Sequence, residues 1–218
     1  MKNLVKLLSL LLALCVVLCA CGTTGGRESD GKDDENPLKG EWTVSVDCGP
    51  LCNDMIKQAL GTELAGYLDF SGTGFDLILT FDGTDSYTLK PDQASLGAFS
   101  DDAVDIILTG MRAYLAKSLE FQMIDQTLDE YLASVGTSFE ALMAESGLDA
   151  EVLADAMVST FDAMNITGKY SVEDGKLKLD SDVHPYELDG NRLTIQLPEG
   201  STDSSIEFLF PMELTKTN

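Results

Sequence analysis

The spacing of apolar residues changes twice along this 218-residue chain, and that change constrains the fold more than any other feature. Both flanks alternate apolar and polar residues with a period of two, the pattern of β-strands that bury one face. Between them, from Ser100 to Met164, apolar residues recur every three or four positions, as on the buried face of a helix. The sequence therefore predicts an α+β fold in which a helical block interrupts one β-structure.

The alternating segments predict about eight short strands. Three precede the helical block, at 41–47, 74–81 and 86–90, and five follow it between Gly168 and Thr215. Asp-Gly pairs separate several of these strands, and Asp-Gly favours the tight turns of β-hairpins. Because eight antiparallel strands can close into a barrel without free edges, we predict a roughly eight-stranded antiparallel β-barrel with a helical insertion at about 91–166.

Local signals predict where the helices begin and end. After the first strand, a helix is expected over 51–60 with Gly61 as its stop, and a short second turn follows it. Within the helical block, Gly136 and Gly147 are predicted breaks. Thr137-Ser138-Phe139-Glu140 is similar to a capping box, and Asp149 is placed to cap the last helix.

The N-terminus has the features of an export signal. Two Lys residues precede an apolar run, Leu7–Leu18, and the small residue Ala20 comes before Cys21. A basic start, a short apolar core and a small residue at the cleavage site define a secretory signal peptide. The run of about 12 residues is shorter than the roughly 20 that a membrane-spanning helix requires. Residues 1–20 are therefore predicted to be a signal peptide.

The segment Leu18-Cys19-Ala20-Cys21 resembles the lipobox of bacterial lipoproteins. That resemblance implies cleavage after Ala20 and a diacylglyceryl group on the thiol of Cys21. The protein would then be an extracytoplasmic component of the bacterial cell envelope, anchored in the cell membrane by two acyl chains. In a cell with two membranes, Gly22 after Cys21 favours the inner membrane, with the outer membrane as the alternative.

Residues 21–37 are predicted to form a disordered tether between the anchor and a domain at 38–218. From Gly22 to Pro37 the chain contains Gly, Thr and charged residues but no apolar side chain. A flexible chain of this length spans roughly 20–25 Å. The tether therefore holds the domain away from the bilayer.

Cys48 and Cys52 remain once the signal and the lipidated cysteine are set aside. An exported chain permits a local disulfide between them, which is one interpretation. Two half-buried thiols are the second, and a metal site is the third, although the only His, His184, is distant in sequence. The four-residue spacing and the missing βαβ pattern exclude a thioredoxin-type redox motif.

The charge of the chain limits its partners. Without residues 1–20 the chain has 12 basic and 37 acidic residues. Nucleic acid binding requires clustered Lys and Arg, so nucleic acid is excluded as a partner. The same charge disfavours lying flat on anionic lipid. The insertion has 14 acidic residues against Arg112 and Lys117 over 92–162, and its outer face is suited to a basic protein partner.

A second resemblance concerns the domain. Gly40-Glu41-Trp42 at the first strand, with seven further hairpin-linked strands, is similar to the lipocalin or calycin group and to lipocalin-like domains of bacterial lipoproteins. The resemblance covers 38–90 and 167–218. It implies that Trp42 closes one end of the barrel under a basic residue near the last strand, with Lys216 and Arg192 as candidates. It also implies a small apolar ligand.

The sequence offers no catalytic or metal-binding set. His184, before Pro185, is predicted to be a surface turn residue, and no Gly-x-Ser-x-Gly motif is present. We therefore expect a non-catalytic protein without a metal or another cofactor. The first hypothesis is a binding protein for a small apolar ligand. The alternatives are an envelope interaction or structural module that uses the acidic insertion, and a hydrolase with two carboxylates among its many acids.

Overall fold

A computed structural model describes residues 36–162, 165–198 and 209–217. The predicted signal peptide, the lipobox with Ala20 and Cys21, and the tether as far as residue 35 lie outside the described residues. Two residues that were predicted as tether, Asn36 and Pro37, are described and belong to the folded domain.

The predicted barrel is confirmed. Eight antiparallel strands form a closed barrel in chain order. They are β1 Gly40–Asp47, β2 Gly74–Phe81, β3 Ser86–Pro91, β4 Ile166–Glu173, β5 Lys176–Leu179, β6 Asp182–Asp189, β7 Arg192–Ile195 and β8 Met212–Lys216. The last strand pairs with the first, with Trp42 opposite Lys216.

Helices follow β1 and β3 along the chain. The described helices are α1 Gly49–Ala65, α2 Gln93–Phe121, α3 Leu128–Ser134, α4 Phe139–Glu145 and α5 Ala150–Asp162. Gly61, the predicted stop of α1, has a non-helical backbone (φ 80°, ψ 167°), and the helix resumes beyond it. The second helix begins at Gln93, earlier than its first predicted turn at Ser100.

The chain divides into two compact units, each with its own core. The helical unit comprises residues 47–74 and 96–160, and its core is built largely from Leu, Met and Phe side chains of the helices. The barrel unit comprises the described residues of 36–46, 75–95 and 161–217. Its core consists of Leu38, in the turn before β1, and inward-facing residues of the strands: Trp42, Leu79, Phe81, Tyr87, Tyr170, Leu177, Leu193, Ile195, Met212 and Leu214.

Side-chain hydrogen bonds cap the starts of three helices in the helical unit. Thr127 and Glu130 form a complete capping box at the start of α3, an Ser/Thr-x-x-Glu pattern that the sequence prediction missed. At the predicted box, Ser138 caps α4 by accepting a hydrogen bond from the Ala141 N–H. Asp149 caps α5 through the Val152 N–H, as predicted.

Candidate functional site

Trp42 lies in the barrel core and is fully buried. Its Nε1 donates a hydrogen bond to the carbonyl oxygen of Leu38 at 2.7 Å. The amine of Lys216 lies 5.2 Å from the centre of the indole ring, within cation–π range. Lys216 Nζ also contacts the carbonyl oxygen of Pro37 at 3.4 Å. Of the two candidate basic residues, Lys216 therefore occupies the position above Trp42.

Polar side chains tie the strands of the barrel together. Asn36 donates to the Tyr170 hydroxyl at 2.7 Å, and Tyr87 donates to Asp180 at 2.9 Å. Burial raises the pKa of Tyr170, so its hydroxyl stays protonated at neutral pH. A β-carbon at Gly168 would overlap the Asp180 carboxylate and lie 2.6 Å from the Tyr87 ring, so glycine is required there. Each of these polar side chains therefore has a hydrogen-bond partner among the others, and the residues have a structural role.

His184 is the polar residue that stands out in the barrel. The prediction that it is a surface turn residue is wrong: it lies within β6 and is 4% exposed. Among the described residues, His184 and Ser100 are the only buried polar or charged side chains. A buried polar group in an apolar core needs a hydrogen-bond partner, which His184 has in a backbone carbonyl. It is the candidate functional residue because it is the single His of the sequence and faces the barrel interior.

Strand register explains why His184 is inside. His184 lies opposite Leu177, a fully buried core residue, so both face the barrel interior. Pro185, which suggested a turn, is tolerated because β6 exchanges its partner at this point from β5 to β7. Its carbonyl oxygen accepts a hydrogen bond from the Gln196 N–H at 2.9 Å.

The contacts of His184 fix its proton. Nδ1 lies 2.9 Å from the carbonyl oxygen of Gln196. A carbonyl oxygen only accepts hydrogen bonds, so Nδ1 carries a proton, and Nε2 is an acceptor when the imidazole is neutral. The ring stacks on Phe210 with centroids 5.5 Å apart and planes at 27°. The imidazole is therefore held in one orientation, with Nε2 able to accept one hydrogen bond.

The inner face of the barrel becomes exposed two strands away from this histidine, at the end of β4. Val172 lies in register with Leu177, and Leu177 lies in register with His184, so the three share one face. Val172 is 46% exposed, at the end of the hairpin that turns at Asp174-Gly175. An eight-stranded barrel of this kind is compatible with binding an apolar ligand.

Cys48 and Cys52 are thiols in the structure, at the start of α1. Burial raises the pKa of Cys48 to about 12 and that of Cys52 to about 11, with nearby negative charge adding to both shifts. Both thiols are therefore protonated at neutral pH, and neither is an activated nucleophile. The disulfide between them stays a prediction. A β-carbon at neighbouring Gly49 would overlap the Phe70 carbonyl oxygen, so the close approach of the two backbones requires glycine there.

No arrangement for metal binding is found in the described part of the chain: no three His, Cys, Asp or Glu residues there are placed to hold an ion. None of the described helices is long and apolar enough to cross a membrane. No protein-family model, curated protein or solved structure matches this chain.

Sequence reasoning missed His184 although a signal was present. The alternation that placed Tyr186 and Leu188 on the inner face of β6 extends by one step to His184. Pro185 led to the wrong prediction because a proline usually marks a strand end or a turn. The partner exchange within β6, which removes that conflict, depends on pairing with distant residues and is not visible in the local sequence.

Proposed function

We propose that this chain is a lipid-anchored, non-catalytic binding protein on the extracytoplasmic side of the bacterial cell envelope. Its ligand is a small apolar molecule with a single polar group, bound inside the barrel. The observation that carries this proposal is His184, a buried polar side chain on the inner face of the barrel that a backbone carbonyl holds in one orientation. Small-molecule sites combine this kind of apolar lining with few polar groups that orient the ligand.

The absence of a reaction is part of the proposal. The only ring nitrogen of His184 with a fixed partner bonds to a backbone carbonyl, which orients the ring but does not activate a nucleophile. The two thiols hold their protons because burial raises their pKa. A hydrolase would require a positioned nucleophile or a carboxylate pair, and nothing in the geometry around His184 favours one.

Native mass spectrometry of the full chain, purified from its own host, tests the ligand. We expect an adduct of a small apolar molecule, lost or strongly reduced in His184→Leu, which removes the hydrogen bond but keeps an apolar side chain. Val152→Ala is the matched control because Val152 is exposed on α5. A wild-type chain with no adduct, whose melting temperature does not change with added long-chain alcohols, would contradict the proposal.

The anchor is tested separately. Labelled palmitate should enter the chain through Cys21, where the lipobox resemblance places the diacylglyceryl group. Cys21→Ala should abolish labelling and Cys48→Ala should not, because the buried Cys48 thiol stays protonated. Labelling that survives Cys21→Ala would refute the anchor.

A second candidate function is an interaction module that uses the helical unit. The observation that favours it is charge: residues 47–74 and 96–160 contain sixteen acidic residues against Lys57, Arg112 and Lys117. Two of those cations already pair with carboxylates, Arg112 with Asp129 and Lys117 with Glu120. The unit therefore presents a strongly negative surface, which attracts a basic protein partner and repels nucleic acid.

A further inference from the structure

The last residue of α2 and the loop after it expose two large apolar side chains, two positions apart in sequence. Phe121 is 83% exposed and Met123 is 93% exposed, more than any other large apolar residue in the described part of the chain. We name Phe121, Gln122 and Met123 the apolar tip. Single exposed apolar residues are ordinary, but two within three residues that bury almost nothing leave apolar area available for a partner.

The backbone of the apolar tip is unusual as well. Helix α2 ends in a Schellman motif: the Met123 N–H bonds to the Glu120 carbonyl, and the Ile124 N–H bonds to the Leu119 carbonyl. Met123 occupies the left-handed position of this motif, with φ 58°. Glycine normally fills that position because it has no β-carbon to strain. The only other non-glycine residues with positive φ in the described chain are Asp174 and Asp180, both in hairpin turns where Asp is ordinary.

A folding argument alone does not explain methionine at residue 123. Glycine there would relieve the backbone strain and would also remove an exposed apolar side chain. The residues on either side have a clear packing role, because Leu119 is buried in the core of the helical unit and Ile124 packs against that core. Positions that break local rules in an otherwise consistent fold are expected to be functional.

The charge around the apolar tip indicates the partner. Asp125 follows it in sequence, Glu120 before it is paired with Lys117, and the helical unit as a whole has an excess of acidic residues. An anionic lipid surface is disfavoured by this charge. We propose that the apolar tip docks a basic protein segment, which inserts an apolar side chain between Phe121 and Met123 and places Lys or Arg near the acidic residues. This inference rests on the second candidate function, the interaction module, and is independent of the barrel ligand.

The test uses the full chain in phosphatidylcholine nanodiscs and a synthetic peptide of Lys and Leu at helical spacing, with empty nanodiscs as background. The wild type should bind this peptide, more weakly as salt rises, and should not bind a Glu/Leu analogue. Phe121→Ser and Met123→Gly should each weaken binding by about fivefold or more. Val152→Ser is the matched control, since Val152 is an exposed apolar residue away from the tip in sequence, and it should bind like the wild type.

Met123→Gly separates docking from folding. Relief of the left-handed strain should raise the melting temperature by about 2–4 °C even as the peptide binds more weakly. Tip variants that bind like the wild type overturn the inference but leave the acidic interaction module in place. An absence of peptide binding in the wild type overturns both. Quenching of a Phe121→Trp variant by brominated lipid in the nanodisc would show that the tip enters the membrane, and would also overturn the inference.

Discussion

The barrel unit and the helical unit organise their polar side chains over different distances in sequence. In the barrel, several side-chain hydrogen bonds join residues far apart, as between Asn36 and Tyr170 or Tyr87 and Asp180, beside local bonds in its turns. In the helical unit most of them are local, as in the capping box of Thr127 and Glu130. The barrel therefore depends on correct long-range pairing, whereas each short helix carries its own start signal.

The same two units differ in what they offer to a partner. The barrel encloses an apolar core with His184 as its buried polar residue, and it contains seven basic residues from Asn36 onward. The helical unit contains three basic residues and exposes Phe121, Met123, Val135 and Val152. The two candidate functions thus belong to different units: an enclosed ligand to the barrel, and an external protein partner to the helices.

The largest effect is expected from Trp42→Ala. This change removes the largest fully buried side chain of the barrel and its hydrogen bond to Leu38, so the barrel should lose about 3–5 kcal/mol of stability. Hydrogen exchange measured by mass spectrometry checks this unit by unit. Protection should fall in the strands and persist in α2.

Val152→Ala in the helical unit is the control for Trp42→Ala and should change stability by less than about 0.5 kcal/mol. Equal loss of protection in both units would break the comparison, because it would mean that barrel and helices unfold as one cooperative unit.

The thiols of the helical unit should be strongly shielded. At pH 8, iodoacetamide should label folded Cys52 about 100-fold more slowly and folded Cys48 about 1,000-fold more slowly than the unfolded chain, because each pKa unit lowers the thiolate fraction tenfold. The raised pKa values also make stability depend on pH, because the fold disfavours the thiolates. Stability is unaffected by the thiols below their ordinary pKa of 9.0 and falls as pH rises from there through the folded values of about 11 and about 12.

Peptide mass spectrometry of the alkylated chain measures both rates, with the chain in guanidinium as the reference. Labelling of the folded chain as fast as the unfolded one would show that the start of α1 opens readily. A mass two hydrogens lower, with no labelling before reduction, would instead establish the disulfide between Cys48 and Cys52.

The sequence was sufficient to predict the barrel because a strand with one buried face alternates apolar and polar residues. Leu77, Leu79 and Phe81 were placed inward by that rule and are fully buried. Sequence reasoning failed at His184. The strand continues past Pro185 because β6 changes its pairing partner there from β5 to β7, although a proline usually marks the end of a strand. Which basic residue lies above Trp42 also depends on the pairing of β1 with β8, so the local sequence could not choose between Lys216 and Arg192.

In the helical unit the sequence identified the helices better than their ends. Gly136 and Gly147 were predicted as breaks and both have positive φ. The end of α2 was missed because its left-handed residue is Met123, and apolar periodicity continues through Ile124 into the next helix. A loop closed by methionine in place of glycine has no sequence signature, and this loop forms the apolar tip.

Two glycines of α2 should respond in opposite directions to the same substitution. A β-carbon at Gly110 would overlap the Tyr67 carbonyl oxygen and lie 2.5 Å from Cδ2 of Leu68, so Gly110→Ala should destabilise the helical unit by about 1–3 kcal/mol. Gly97 has open space around its α-carbon, so Gly97→Ala should stabilise the helix by up to about 1 kcal/mol. Urea titration followed by circular dichroism measures both. Equal effects would mean that the close approach of Gly110 to the Tyr67 segment is not maintained in solution.

The smallest effects are expected where each unit places one cation over an aromatic ring. Lys216 lies 5.2 Å from the Trp42 ring, and Arg112 lies 5.3 Å from the Phe139 ring. Lys216→Met keeps the apolar stem and removes the charge, so the barrel should lose about 0.5–1 kcal/mol. Arg112→Gln also removes the exposed ion pairs with Asp129 and Glu140, and its effect should fade in high salt. Urea titrations at low and high salt separate the two cases. A strong salt dependence for Lys216→Met would indicate that its amine is solvated rather than held against the indole.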